Sequence, residues 1–144
     1  MILLNPKKFK GEHLDEKARE LILKTIEFFE SIGKAKLKEN DRKMTWYDDF
    51  IEFQKQNKIF YTFLTPPEFS NGETRWDTWR ICDYNEVLAF YSLPYWYAWQ
   101  VTILGLGPIW MSKNEKIKRE VAEMLKNGGV FAFGLSEREH GADI

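Results

Sequence analysis

The residues with the most chemical potential gather at the carboxy-terminal end of this 144-residue chain. Val130 to Phe133 is a short β-prone apolar run, and Gly134 leads it into a polar turn, Leu135-Ser136-Glu137-Arg138-Glu139-His140-Gly141-Ala142-Asp143. A turn built of small, acidic and hydroxyl residues presents backbone N–H groups and one hydroxyl, that of Ser136, to whatever lies opposite. Glu137, Glu139, His140 and Asp143 also raise the idea of a metal site. One histidine among clustered carboxylates fixes neither coordination number nor geometry, and solvated loop charges account for these residues better. The single cysteine, Cys82, rules out an internal disulfide. It has apolar neighbours in a predicted helix and reads as a small buried hydrophobe rather than a nucleophile.

The same run resembles a known signature. Phe133 followed by Gly134-Leu-Ser-Glu-x-x-His-Gly-Ala-Asp143 is similar to the signature of the flavin-dependent acyl-CoA dehydrogenases. That signature reads Gly-(aliphatic)-(Ser/Thr)-Glu-x-x-(small)-Gly-(Ser/Thr)-Asp and follows an aromatic. Phe133, Gly134, Leu135, Ser136, Glu137, Gly141 and Asp143 fall in register. His140 stands where the family has a small residue, and Ala142 where it has a hydroxyl.

The resemblance implies FAD as cofactor and an acyl-CoA thioester as substrate. In the family a carboxylate base takes the α proton and the flavin N5 accepts the β hydride. Carried over by register, the backbone at Phe133 and Leu135 and the hydroxyl of Ser136 would meet the flavin ring. A hydroxyl donating to the ring edge favours its reduced, electron-rich state. Gly141 would let the chain pass close to the cofactor. Ala142 would sit at the cofactor and thioester contact, where an alanine has nothing to donate. The family's catalytic carboxylate, middle β domain and C-terminal helices lie in further polypeptide. The resemblance therefore implies the N-terminal part of a longer enzyme, inactive by itself, with no catalytic residue assigned here. It also implies a dimer or tetramer, with electron-transfer flavoprotein as a possible partner. Acyl-CoA oxidases and flavin monooxygenases of the same fold remain alternatives. So does a helical interaction module, or a paralogue without chemistry, to which His140 and Ala142 point.

Composition sets the bounds. Lys plus Arg (21) nearly balance Asp plus Glu (22), so no global field draws nucleic acid or anionic lipid. Six Trp, six Tyr and eleven Phe accompany a mean hydropathy of −0.48, and rings this numerous belong chiefly in a core. The start, Met-Ile-Leu-Leu-Asn-Pro-Lys-Lys, is too short an apolar run for a signal peptide. With one cysteine, a cytoplasmic setting is expected.

The elements that must position the turn follow from periodicity. Residues 1–13 read as an arm, extended or frayed. Ala18, Ile22, Ile26 and Phe29 predict one helix from about Leu14 to Lys38. Lys34 to Lys43 could serve as a docking stripe, but reads first as a solvated helix end. Thr45-x-x-Asp48 predicts a cap for a second helix, and Ile59 to Leu64 a strand or an extended connector. Asn71-Gly72 marks a turn, and a third helix begins near Thr74 or Asp77.

Val87 to Met111 carries no charge, yet Pro94 and the Gly105-Leu-Gly-Pro108 break predict a buried helix of about ten residues rather than a membrane span. By the resemblance this helix would line the acyl pocket. Burial habits place its rings Tyr95, Trp96 and Trp99 in the core. Ser112-x-x-Glu115 predicts a capping box for a last helix, stopped by Asn127-Gly128-Gly129. Together these give a mainly α fold. The expected architecture is an up-down helical bundle over 14–129, like the N-terminal domain of the acyl-CoA dehydrogenases. Residues 130–144 would be the first strand of a missing β domain and its flavin-contacting loop.

Overall fold

The computed structural model describes residues 5–135 and 137–139. Among them are seven α-helices and two 3-10 turns, with no strand: α1 (Glu16–Ile32), α2 (Lys34–Arg42), α3 (Asp48–Gln56), α4 (Ile59–Leu64), α5 (Thr78–Tyr91), α6 (Leu93–Met111) and α7 (Glu115–Lys126). The mainly helical expectation holds at this level. Residues 5–13 do not fray: they form a turn with Pro6 buried and Phe9 packed against the core.

The first predicted helix is two helices. Its apolar stripe runs through Ala18, Leu21, Ile22, Thr25, Ile26 and Phe29, all buried. Gly33 then takes φ 80°, a region closed to most side chains, and α2 departs on a new axis anchored by Leu37 alone. The periodicity gave no warning because lysines continue without a break. The Thr45–Asp48 cap does not form either. Tyr47 occupies the cap position of α3 without a side-chain bond, while Asp48 and Asp49 lie in its first turn, where the helix dipole favours them.

Ile59–Leu64 is the clearest departure from expectation, because it forms a helix. Lys58 turns the chain at φ 53°, and all six following side chains are buried. An apolar run hidden on every side shows neither a two-residue nor a 3.6-residue period. With no neighbouring strand to pair, only a helix satisfies its backbone internally. Two of its carbonyls are met from outside, Thr62 O by Arg75 N at 3.0 Å and Leu64 O by the Trp110 indole at 3.1 Å.

The third predicted helix, expected to begin near Thr74 or Asp77, is α5, and Asp77 caps it, accepting from Trp79 N and Arg80 N. Its buried row is Arg80, Tyr84, Val87 and Leu88, which leaves Cys82 on the outer side. The buried-thiol expectation is therefore corrected. The helix α6 also runs well past Gly105, through Pro108 to Met111. Pro108 removes only one ladder bond, to a residue on the exposed side, while burial of Leu106 and the packing of Trp110 hold the last turn. Ser112 ends α6, and Asn114 rather than Ser112 caps α7, accepting from Ile117 N at 3.1 Å. No helix of the described residues is long and apolar enough to cross a membrane.

The core is aromatic, and α5 and α6 bring most of it together. Trp99 is fully buried, with ring centroids 4.7 Å from Tyr84, 5.3 Å from Phe60 and 5.9 Å from Phe63. Asn85 accepts from both the Trp96 and Trp99 indoles, at 2.8 and 3.0 Å. Tyr95 is buried beside Phe29 and Phe50. Tyr95 and Trp99 thus face the core, as their ring types predicted.

Candidate functional site

The segment that carries the signature leaves α7 through a fixed turn. Gly128 (φ 87°) and Gly129 donate to Leu125 O and Met124 O, both at 2.9 Å, and the buried Gln54 amide of α3 donates to Gly128 O at 3.0 Å. The chain then lies across α6. Thr102 Oγ1 donates to Ala98 O at 2.8 Å within its own helix and accepts from Phe131 N at 3.3 Å. One turn on, Gly105 supplies the space. A Cβ there would stand 2.8 Å from Ala132 O and 3.0 Å from both Ala132 N and Phe131 Cβ.

A hydroxyl and a missing methyl therefore seat residues 131 and 132. Neither role was read from sequence, where Gly105 marked only a helix break, because the contact spans almost thirty positions and leaves no periodic trace. Gly105→Ala is expected to unseat the segment, although the helix itself gains roughly 1 kcal/mol from the better helix former. Chymotryptic cleavage at Phe131 and Phe133 should accelerate on the order of tenfold, with the global unfolding midpoint little changed.

Beyond the seat the chain is open. Phe133 and Leu135 are 46% and 49% exposed, and a Cβ on Gly134 would meet nothing within 4 Å. No N–H from Ala132 to Leu135 finds a partner among the described residues, and no strand ladder forms there. The expected strand therefore has no pairing among the described residues. Glu137, Arg138 and Glu139 are exposed, whereas Ser136, His140, Gly141, Ala142 and Asp143 lie outside the described residues. Among the described residues no group of His, Cys, Asp and Glu is placed to hold a metal ion.

Residues 132–135 are exposed, and nothing stands within 4 Å of a Cβ on Gly134. The helix that seats residues 131 and 132, α6, also carries an apolar outer face. Leu93, Tyr97, Val101, Leu104, Pro108 and Met111 follow at steps of four, four, three, four and three, all apolar and none fully buried. A helix that is core on one side and apolar on the other carries a face suited to an apolar ligand or a packing partner.

A second cluster escaped the sequence reading altogether. Asp15 caps α1, accepting from Ala18 N at 3.1 Å, and also clamps Arg80 of α5 through Nε at 2.7 Å and Nη2 at 2.5 Å. Arg75 reaches the same carboxylate at 3.4 Å and Asp77 at 2.9 Å. His13 Nε2 lies 2.5 Å from Asp83 Oδ2, next to the exposed Trp79. Burial works against the charge of Asp15, but the hydrogen bonds from Arg80 and Ala18 N and the charges of Arg80 and Arg75 outweigh it, holding the carboxyl below its ordinary value. The cluster joins the amino-terminal turn to α5. Its depression is lined by paired ions, so its first role is structural. The only advance sign was Asp15 at a helix start.

No family model matches this chain, and comparison with curated proteins and with solved structures gives no match either.

Proposed function

We propose that this chain forms the N-terminal helical portion of an FAD-dependent acyl-CoA dehydrogenase or a near relative, and that residues 133–143 meet the flavin. The observation that carries the reading is the register from Phe133 to Asp143 directly after α7, on a segment whose N–H groups at 132–135 are open and free. When bound, FAD would accept the hydride lost from the acyl β-carbon. This chain's own contribution is to hold and polarise. Backbone donors at Phe133 and Leu135 and the Ser136 hydroxyl would lie against the ring edge, Gly141 would admit close approach, and Ala142 would leave the thioester without a side-chain donor from this loop. The uncharged outer stripe of α6 suits an acyl chain. There Tyr97, 57% exposed, is the bulky ring that would shorten it, since Tyr95 and Trp99 point into the core. The catalytic carboxylate is assigned to no residue of this chain.

The test is flavin content of the natural polypeptide purified from cells. Flavin absorbance, or its return on adding FAD to the stripped protein, followed by bleaching with an acyl-CoA, is the expected result. Absence of flavin together with failure to reconstitute ends the reading.

A second reading, a helical interaction module without cofactor, is favoured by the closed aromatic core around Trp99 and the unpartnered stripe of α6. It requires the 144-residue chain to unfold cooperatively and to bind a partner with no flavin present. A molten state of the isolated chain would count against it.

A further inference from the structure

The surface formed by α2, the loop after it and the α5–α6 corner is used by neither reading, apart from Leu93 at the end of the α6 stripe. Lys34, Lys38 and Arg42 stand at four-residue steps on α2, all exposed, and none forms an ion pair among the described residues. Lys36 and Lys43, by contrast, both pair with Glu39. Like charges at this spacing repel, so the row destabilises the helix unless something opposite compensates it.

Large apolar side chains stand beside the row. Met44 (φ 51°) is 91% exposed, Trp46 63%, Leu93 63% and Phe90 42%, with Lys34 Nζ 5.5 Å above the Phe90 ring. Two adjoining depressions place Lys34, Lys38, Met44, Trp46 and Leu93 on one surface. The first is lined in part by Lys34, Lys38 and Leu93, the second by Met44 and Trp46, and both include Asp41, Ser92 and Pro94.

We propose that this surface docks on an anionic lipid bilayer, with Lys34, Lys38 and Arg42 against headgroup phosphates and Met44, Trp46 and Leu93 entering the acyl boundary. The charge is local. From residue 34 to 47 five cations stand against two carboxylates, although the chain as a whole carries −1. Charge of this extent acts within roughly 8 Å at physiological salt. The distribution favours lipid over an acidic protein. Lys34 and Lys38 offer no fixed fork for a particular carboxylate, and an exposed indole and thioether in the loop after α2 suit the headgroup level of a bilayer. The proposal is independent of the flavin reading.

The experiment is co-sedimentation of the whole chain with vesicles of phosphatidylcholine alone, and of equimolar phosphatidylcholine and phosphatidylglycerol. Binding to the mixed vesicles only, weakening as salt rises, is expected. Lys34→Gln/Lys38→Gln/Arg42→Gln should weaken it on the order of a hundredfold. Met44→Ser/Trp46→Ser should weaken it too, and abolish quenching by brominated lipid at that site. Removing three cations elsewhere, Lys113→Gln/Lys116→Gln/Lys126→Gln, should leave binding in place. All these side chains are at least partly exposed, and unchanged far-UV circular dichroism verifies that each variant folds. No binding at low salt, equal binding to neutral vesicles, or an equal loss from the α7-side variant overturns the proposal.

Discussion

Trp99→Ala is expected to lower the unfolding free energy by about 3–5 kcal/mol, the usual cost of truncating a fully buried large aromatic. Trp99 has no exposed surface, and its ring meets Phe60, Phe63 and Tyr84 edge-on, so a cavity opens where α4, α5 and α6 converge. A small domain is stable by roughly 5–15 kcal/mol in total, and the variant should sit close to the limit of folding. Trp99→Phe separates packing from polarity. It keeps most of the contact and loses only one of the two indole bonds to Asn85, so about 1–2 kcal/mol is expected. Urea denaturation followed by circular dichroism measures both. A cost under about 1.5 kcal/mol for the alanine variant would show that the core is not centred there.

Asp15→Ala should rank next, at about 3 kcal/mol, because it removes a helix cap and strands a guanidinium in the same step. The side chain of Arg80 is only 6% exposed, and two of its nitrogens spend their hydrogen bonds on Asp15. Asp15 remains about one-third exposed, which keeps the figure at the lower end for buried pairs. Asp15→Asn keeps the cap and loses the charge, so it should fall between the alanine variant and the parent.

Acid should have the same effect as the asparagine. The folded pKa of Asp15 lies below its unfolded value, so the native state holds fewer protons. Its stabilisation is complete above roughly pH 4 and fades as pH falls through the lower, folded value. Thermal melts of the parent and of Asp15→Asn should therefore converge at low pH. Parallel melting curves down to acid would show that the pair contributes no charge-dependent stability.

The parts of the fold that sequence disclosed are those where a local rule and the tertiary environment agree. Asp77 caps α5 through Oδ1 and still has Oδ2 for Arg75, and α7 stops at Gly128 because a glycine was needed there. The parts it hid are those where packing overrules the local pattern. Ile59–Leu64 lost its period by being buried all round, and α6 continues through two glycines and a proline because Leu106 and Trp110 are held on its inner side. Residues of the candidate site were nameable from register alone. Their seat on Thr102 and Gly105 was not, since a hydroxyl and a hydrogen atom in a distant helix become a binding surface only after folding.

The double apolar character of α6 also bears on how the molecule is made. As it leaves the ribosome, this helix offers an uncharged surface on every side; α4 and α5, made earlier, can cover much of its inner half, whereas the faces that meet α7 and residues 131 and 132 stay bare until those emerge. During that interval its apolar surface is open to association with other chains. Refolding from denaturant should accordingly give yields that fall as protein concentration rises, with the losses traceable to this one helix.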